Sequence, residues 1–171
     1  MDEGLLKRWD YKPLLGTILY TLVVPGSITV LVPFLILTLK FRLIPMPLGI
    51  YHYLGLMPIC LGTVLYLWAA WEFAITGKGT PSSISPSKIL VVNGPYRWSR
   101  NPMYAGLLFI LVGEAIFVQE VILVAYFFFF FLSFNRYIHN NEEPNLAHKF
   151  GANYRLYCHA IPRWLPRIRL K

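Results

Sequence analysis

Four apolar stretches divide the chain, and polar segments separate them. The first runs over residues 14–39 and the second over 50–75, while 102–117 and 121–138 are shorter. A helix needs about 20 mostly apolar residues to cross a bilayer. The first two stretches are long enough, and the shorter pair must tilt or begin among the headgroups. The pattern predicts an all-α integral membrane protein with about four transmembrane helices, forming a single domain over residues 1–171.

Three residues within the first two stretches modify this picture. Pro25 and Pro33 lie inside the first stretch, where neighbouring helices can satisfy the carbonyls that proline frees, so we interpret both as kinks. Glu72 lies near the end of the second stretch. A carboxylate inside a span is costly, which makes it a candidate for the functional site.

The composition supports a membrane protein. Hydrophobic residues make up 56% of the chain, charged residues 14%, and the mean hydropathy is +0.51; soluble domains average about 25% charged residues. Cys60 and Cys158 are far apart in sequence, and the histidines have no metal-ligand spacing. We therefore expect neither a disulfide framework nor a metal site.

Two polar clusters flank the last pair of apolar stretches. The long connection over 76–104 contains several glycines and prolines, and it ends in a basic and aromatic segment at 94–104. Pro102 suits the first turn of a helix, with Asn101 as its N-cap. The second cluster lies at 140–144. Because one hydrophobic hairpin separates the clusters, it should return the second to the membrane face where the first one lies.

The C-terminal region predicts an amphipathic helix. Leu146, Phe150, Tyr154 and Tyr157 recur at a spacing of three or four residues. The region is also basic, so we expect an interfacial helix that rests on anionic lipid headgroups.

The basic residues predict the orientation. Of the 16 lysines and arginines, all but Lys40 and Arg42 fall on the side that would hold both termini. By the positive-inside rule, both termini and the segments 76–104 and 139–166 face the cytoplasm. The net charge of +8 then reflects topology and contact with membrane lipids, and we expect no nucleic-acid partner.

The two clusters carry groups that suit a nucleotide-like ligand. The helix start after Asn101 presents amide N–H groups that attract a carboxylate or phosphate. Glu142 and Glu143 can hold an ammonium or a ribose diol, and Tyr96 and Tyr104 can stack on a ring or face a cation. S-adenosylmethionine has a carboxylate, an ammonium, a ribose and a heteroaromatic ring.

A second interpretation of the same residues needs no ligand. Arg97 and Arg100 would contact lipid headgroups, and the aromatic residues would form an interfacial belt. The glutamates Glu142 and Glu143 would then cap the last helix or pair with the arginines.

Taken together, the motifs resemble a known family. These are Gly-Pro-Tyr-Arg-Trp-Ser-Arg-Asn-Pro-Met-Tyr at 94–104, Glu-Glu at 142–143, Phe-Gly-Ala-Asn-Tyr-Arg-Leu-Tyr at 150–157 and Ile-Pro-Arg-Trp at 161–164. The combination resembles the isoprenylcysteine carboxyl methyltransferases, whose superfamily includes the phospholipid N-methyltransferases. The resemblance covers roughly residues 76–166.

The resemblance implies S-adenosylmethionine bound on the cytosolic side and a lipophilic acceptor that enters between spans. Glu142 matches the glutamate that binds the cofactor in this family. The full set of cofactor-binding residues implied is Lys88, Ile89, Leu90, Val91, Tyr96, Asn101, Pro102, Met103, Tyr104 and Glu142.

Two positions depart from the family pattern. Asn101 stands where many members have histidine, so it can bind but cannot shuttle a proton. The arginine that holds the substrate carboxylate is missing near Ile138, and the nearest arginine is Arg136. As catalytic candidates we consider Arg136 for an anionic substrate group, and Glu143 and Tyr104 for removing a proton from an amine.

The expected activity is S-adenosylmethionine-dependent carboxyl O-methylation of an isoprenylcysteine-like acceptor. Three alternatives remain open: a phospholipid N-methyltransferase, an NADPH-dependent membrane reductase and a non-catalytic membrane partner. The sequence does not predict an oligomeric state.

Overall fold

The computed structural model describes residues 12–39, 50–77, 87 and 89–164, and within these ranges every regular element is helical. The elements in chain order are α1 (Lys12–Gly26), a π-helical turn (Ser27–Leu31), α2 (Val32–Thr38), a 3-10 turn (Ile50–Gly55), α3 (Leu56–Gly77), a 3-10 turn (Gly94–Arg97), α4 (Pro102–Val118), α5 (Val121–Tyr137), a π-helical turn (Ile138–Glu142) and α6 (Glu143–Ala160).

The apolar helices agree with the predicted membrane class. Three helical runs are long and apolar enough to cross a bilayer: Leu15–Thr38, Ile50–Gly77 and Val121–Ala160. Pro102–Val118 is a shorter apolar helix, as its sequence predicted. The all-α membrane fold is confirmed, while the number of passes stays a prediction.

The two prolines of the first span flank a change of helix type. The π-helical turn Ser27–Leu31 lies between Pro25 and Pro33. The Thr29 hydroxyl donates a 2.9 Å hydrogen bond to the Pro25 carbonyl, and the Tyr126 hydroxyl of α5 donates a 2.8 Å bond to the Ile28 carbonyl. A side chain from another span therefore satisfies part of the irregular backbone, which is how a membrane helix tolerates such a break.

Helices α3 and α4 pack closely along two glycine pairs. A Cβ added to Gly62 would lie 2.5 Å from the Gly106 carbonyl oxygen, and one added to Gly113 would lie 2.6 Å from that of Gly55. Gly55, at the end of the 3-10 turn, precedes Gly62 by seven residues, and Gly106 precedes Gly113 by the same number. The glycines of each helical run therefore lie on one face of it. Small residues let membrane helices approach closely and gain van der Waals contact. This packing fixes α4, which begins with the Pro-Met-Tyr segment at 102–104, against α3.

The predicted hairpin of α4 and α5 closes in a tight turn. Gln119 ends α4 with φ +58°, and its amide donates a 3.0 Å hydrogen bond to the Ala115 carbonyl. Helix α5 then runs back along α4, which brings residues 138–143 to the end of the hairpin where α4 begins. The hydroxyl of Tyr104 reaches Glu142 across this end.

The C-terminal helix follows α5 directly. Residues 138–142 form a π-helical turn, so α5, the turn and α6 make one helical run, Val121–Ala160. Within α6, Gly151 adopts φ +55° and ψ −124°, which are not helical values. Glycine tolerates this region because it has no Cβ, and the bend divides α6 into two helical parts.

We predict that Gly106→Ala destabilises the fold by about 1–3 kcal/mol, because its Cβ would meet backbone atoms of α3 at 2.8 Å. The measurement is the free energy of unfolding in mixed detergent micelles. Gly26→Ala is the matched control, since its nearest neighbour would lie at 3.7 Å. Equal stability of the two variants would contradict the close packing of α3 and α4.

Candidate functional site

The segment before α4 is built against α3. Gly94 begins a 3-10 turn with φ +55°, and a Cβ there would lie 3.2 Å from Trp68 Nε1 and 3.3 Å from Glu72 Cγ. The Glu72 carboxylate accepts a 2.6 Å hydrogen bond from the Thr76 hydroxyl. Glu72 therefore lies next to the first residue of the 94–104 segment, at the edge of the candidate site.

Tyr96 anchors this segment in the core. Its ring is buried with Ala69 and Val91, and Phe73 and Met103 pack against the cluster. Its carbonyl accepts a 2.7 Å hydrogen bond from the Tyr157 hydroxyl of α6. Burial raises the pKa of the Tyr96 phenol well above its usual value. Tyr96 therefore stays a neutral phenol at cellular pH.

Tyr104 and Glu142 join the two polar clusters. The Tyr104 hydroxyl donates a 2.7 Å hydrogen bond to Glu142 Oε1. Glu142 lies past the apolar part of α5, in the second π-helical turn, and burial raises the pKa of its carboxyl, although the bond from Tyr104 opposes the shift. The expectation that the hairpin brings the clusters together is met at this contact.

Glu143 is held by two arginines. Arg163 donates from Nε to Oε1 at 3.0 Å and from Nη2 to Oε2 at 2.5 Å, and Arg100 Nη1 lies 3.0 Å from Oε1. The Arg163 bonds form the two-pronged geometry that makes arginine–carboxylate pairs strong. The pairing of Glu143 with Arg100 is one that the ligand-free interpretation expected. The two neighbouring glutamates therefore have different partners: Glu143 contacts two arginines, and Glu142 contacts Tyr104.

The residues 161–164 lie across the start of α4. The Arg163 carbonyl accepts hydrogen bonds from the Ser99 hydroxyl at 3.0 Å and from Asn101 Nδ2 at 3.1 Å. The Arg100 amide donates a 2.9 Å bond to the Pro162 carbonyl. The C-terminal segment therefore fixes residues 99–101, and Arg163 joins them to Glu143 at the same time.

Asn101 occupies the N-cap position of α4, but its side chain does not cap the helix. No side-chain cap bond is present there, and the Asn101 side-chain Nδ2 donates a hydrogen bond to the Arg163 carbonyl. The prediction of a capping role for this side chain was wrong. The amide N–H groups of the first turn therefore keep their capacity to bind an anion.

The predicted cofactor-binding residues at 88–91 lie in two different surroundings. Ile89 and Leu90 line an open groove of about 510 Å³, whereas Val91 points into the core beside Tyr96. The remaining lining residues of the groove are Val92, Phe150, Asn153 and Leu156. Lys88 lies outside the described residues.

Other predicted residues have simpler positions. Pro102 is buried at the first turn of α4, and Met103 packs between two core clusters. Arg136 is exposed in the last turn of α5. No structural contact tests its proposed role in catalysis.

Sequence reasoning gave no role to three features of this region. Arg163 was counted only as a basic residue, although it lies in the Ile-Pro-Arg-Trp motif. Gly151 was not recognised as a bend, although Phe-Gly inside an amphipathic pattern was a signal. The glycines that join α3 and α4 were also overlooked, and their seven-residue spacing could have revealed them.

The fold and the site define a helical membrane protein whose two polar clusters meet at one end of an apolar hairpin. A family model described as phospholipid methyltransferase matches residues 50–153. The chain belongs to this family. It is also 35% identical over 86 residues to a protein of Xenopus laevis named protein-S-isoprenylcysteine O-methyltransferase. That match covers 50% of this chain and 30% of the relative.

We predict that Arg163→Ala loosens residues 99–101 and lowers stability by about 1.5–3 kcal/mol, because Glu143 loses two charge-assisted hydrogen bonds. The measurement is amide hydrogen exchange of peptides over 94–104. Arg155→Ala, a change of an exposed arginine on α6, is the control. Unchanged exchange in Arg163→Ala would contradict the bridging role of Arg163.

Proposed function

We propose that this protein is an S-adenosylmethionine-dependent methyltransferase that acts on a lipophilic, membrane-resident acceptor. The observation that carries the proposal is the Tyr104–Glu142 hydrogen bond, which joins the two polar clusters of the family motif. The family membership and the similarity to an isoprenylcysteine O-methyltransferase support the same activity.

The residues present fit the methyl donor. Glu142 is a half-buried carboxylate, and its partial burial raises the pKa of its carboxyl. A cation beside it would supply the counter-charge that Tyr104 does not. At the start of α4, the first-turn amides are not capped by the Asn101 side chain, so they can receive the carboxylate of the donor.

The groove and the core cluster would supply the remaining contacts to the methyl donor. Ile89 and Leu90 would face the adenine, and Tyr96, Pro102 and Met103 would support the binding residues from behind. Asn101 would act through the position of the 99–101 backbone, since its side chain is bonded to the Arg163 carbonyl. We propose the same binding set as the sequence predicted, with Lys88 and Val91 as its least direct members.

When bound, the donor supplies a methyl group on a sulfonium, which is a good electrophile with a neutral leaving group. The task left to the protein is to align the acceptor and to exclude water. Tyr104 and Glu142 hold the polar end of the site at the membrane face. A carboxylate acceptor needs no general base, because it is already a nucleophile at neutral pH.

We propose the carboxylate of an isoprenylcysteine-like molecule as the acceptor. Arg136 is exposed one helical turn or more before Glu142, where it could contact an anionic group at the interface. Glu143 would act by holding Arg100 and Arg163 in place. We further propose that four spans cross the membrane, with both termini and the site on the cytoplasmic side, as the distribution of basic residues favours.

Phospholipid N-methylation is the second candidate. The family model that matches residues 50–153 favours it, and so does Ile138 at the place where the prenylcysteine enzymes carry an arginine. An amine acceptor must lose a proton before transfer, and the Glu142 carboxylate, which accepts the Tyr104 hydrogen bond, would take it.

We predict that Glu142→Gln weakens binding of S-adenosylhomocysteine about 10- to 100-fold, because a hydrogen-bonded carboxylate is lost. Tyr104→Phe should weaken binding less, since the carboxylate remains. The measurement is calorimetry with purified protein in detergent, and Asn141→Ala, an exposed neighbour, is the control. Absence of binding to the wild type would overturn the methyltransferase proposal, and binding of NADPH in its place would favour a reductase.

We predict that membranes containing the protein transfer a labelled methyl group from the donor to N-acetyl-S-farnesylcysteine. The product should release its label in mild base, as a methyl ester does. Label found instead in base-stable phospholipid amines would favour the second candidate. Arg136→Ala should raise the KM for the prenylated acid without changing that for the donor.

A further inference from the structure

Two tryptophans meet nearly at a right angle on the surface of the protein, beside the segment 94–98. Trp68 belongs to α3, and Trp98 follows the 3-10 turn that begins at Gly94. Their ring centroids are 5.4 Å apart, and the angle between the ring planes is 82°. Both residues are exposed, by 42% and 52% respectively. The two rings therefore form an open aromatic corner, which we call the indole corner.

A carboxylate lies beside the indole corner. Glu72 follows Trp68 by four residues, so the two side chains are neighbours on one face of α3. A Cβ added to Gly94 would lie 3.2 Å from Trp68 Nε1 and 3.4 Å from Glu72 Oε2, which places the indole nitrogen and the carboxylate close to the same point. In the part of the chain that the structure describes, the ion pairs involve Glu143 and not Glu72. Within that part, no arginine or lysine neutralises Glu72.

The indole corner lies near one end of a helix that is long and apolar enough to cross a bilayer. Trp68 and Glu72 are close to the end of α3, where the polar segment 94–98 packs against it. Tyr96 of this segment is buried in the core, whereas Trp98 is exposed. An interfacial belt accounts for exposed tryptophans, but it does not require two perpendicular rings beside a carboxylate. A carboxylate at this depth is costly, and a cation beside it would lower that cost.

We propose that the indole corner and Glu72 bind the quaternary ammonium of a choline headgroup, carried by a phospholipid of the surrounding bilayer. Binding of this lipid involves no methyl transfer, so the site goes beyond the proposed function.

The chemistry of the corner suits this headgroup. The face of an indole ring carries negative potential and attracts a cation more strongly than the face of tyrosine or phenylalanine does. Two perpendicular rings let one trimethylammonium group contact both, and its methyl groups also gain apolar contact. The Glu72 carboxylate adds a full negative charge beside the rings. A headgroup without an ammonium gains none of this electrostatic attraction, so the site should select lipids by headgroup.

Saturation-transfer NMR tests the site on the whole protein in dodecyl maltoside micelles. The probes are dihexanoylphosphatidylcholine and an isosteric analogue in which a carbon atom replaces the ammonium nitrogen. The wild type should bind the choline lipid more tightly than the analogue. Trp98→Leu and Glu72→Gln should each lower this preference about 2- to 5-fold, because a ring face or the counter-charge is lost. Trp98→Phe should keep part of the preference, because a ring remains.

Trp71→Leu is the matched control, since Trp71 is an exposed tryptophan of the same helix that lies outside the ring pair. It should keep the preference of the wild type. Equal losses in Trp71→Leu and Trp98→Leu would show an interfacial belt without a site, which overturns the proposal. A wild type that binds both lipids equally, or an unchanged preference in Trp98→Leu, also overturns it. Should Trp98→Leu fail to fold, Glu72→Gln decides: a reduced preference supports the site, and an unchanged one contradicts it.

Discussion

The candidate site depends on one ion pair, the fork that Arg163 makes on Glu143. Through this fork the residues after α6 are fixed to the second polar cluster, and through the Arg163 carbonyl they are fixed to Ser99 and Asn101. The two clusters are far apart in sequence, so neither can position the other by local structure. The guanidinium and the carbonyl of one residue do both, which leaves Glu142 available to face Tyr104. A partly buried charge pair of this kind is weak evidence for stability, but it is well suited to fixing one arrangement among several.

Much of the fold followed from the sequence because the bilayer restricts the choices. Apolar stretches of the right length had to be helices, and the hairpin between the polar clusters had to bring them to one face. The boundaries of α4 and α5 agree with the predicted stretches to within a residue. The cluster at 140–144 was harder, because it forms a helical turn although its polar composition resembles that of a loop. Backbone bonds along Val121–Ala160 outweighed local preference there.

The sequence predicted that the two polar clusters meet, and it predicted fewer of the contacts that join them. Tyr104 and Glu142 were placed together from the hairpin argument, and the structure joins them. Asn101 does not cap α4, and its side-chain Nδ2 is bonded to a carbonyl 62 residues away, a partner that no local pattern reports. Arg163 was missed for the same reason: its role arises from long-range contacts. The glycine pairs that join α3 and α4 could be predicted only in part. Their seven-residue spacing is visible in the sequence, but the residue that each glycine faces is not.

The bend at Gly151 has a consequence for how the protein is made. Because α6 turns there, Tyr157, Cys158 and Arg163 come back to the start of α4, where Tyr157 binds the Tyr96 carbonyl and Arg100 donates to Cys158 Sγ. During synthesis, residues 157–163 leave the ribosome after α4 and α5. The contacts that fix residues 96–101 therefore form only after residues 157–163 have been made, so the helices of the hairpin precede these contacts in the order of synthesis.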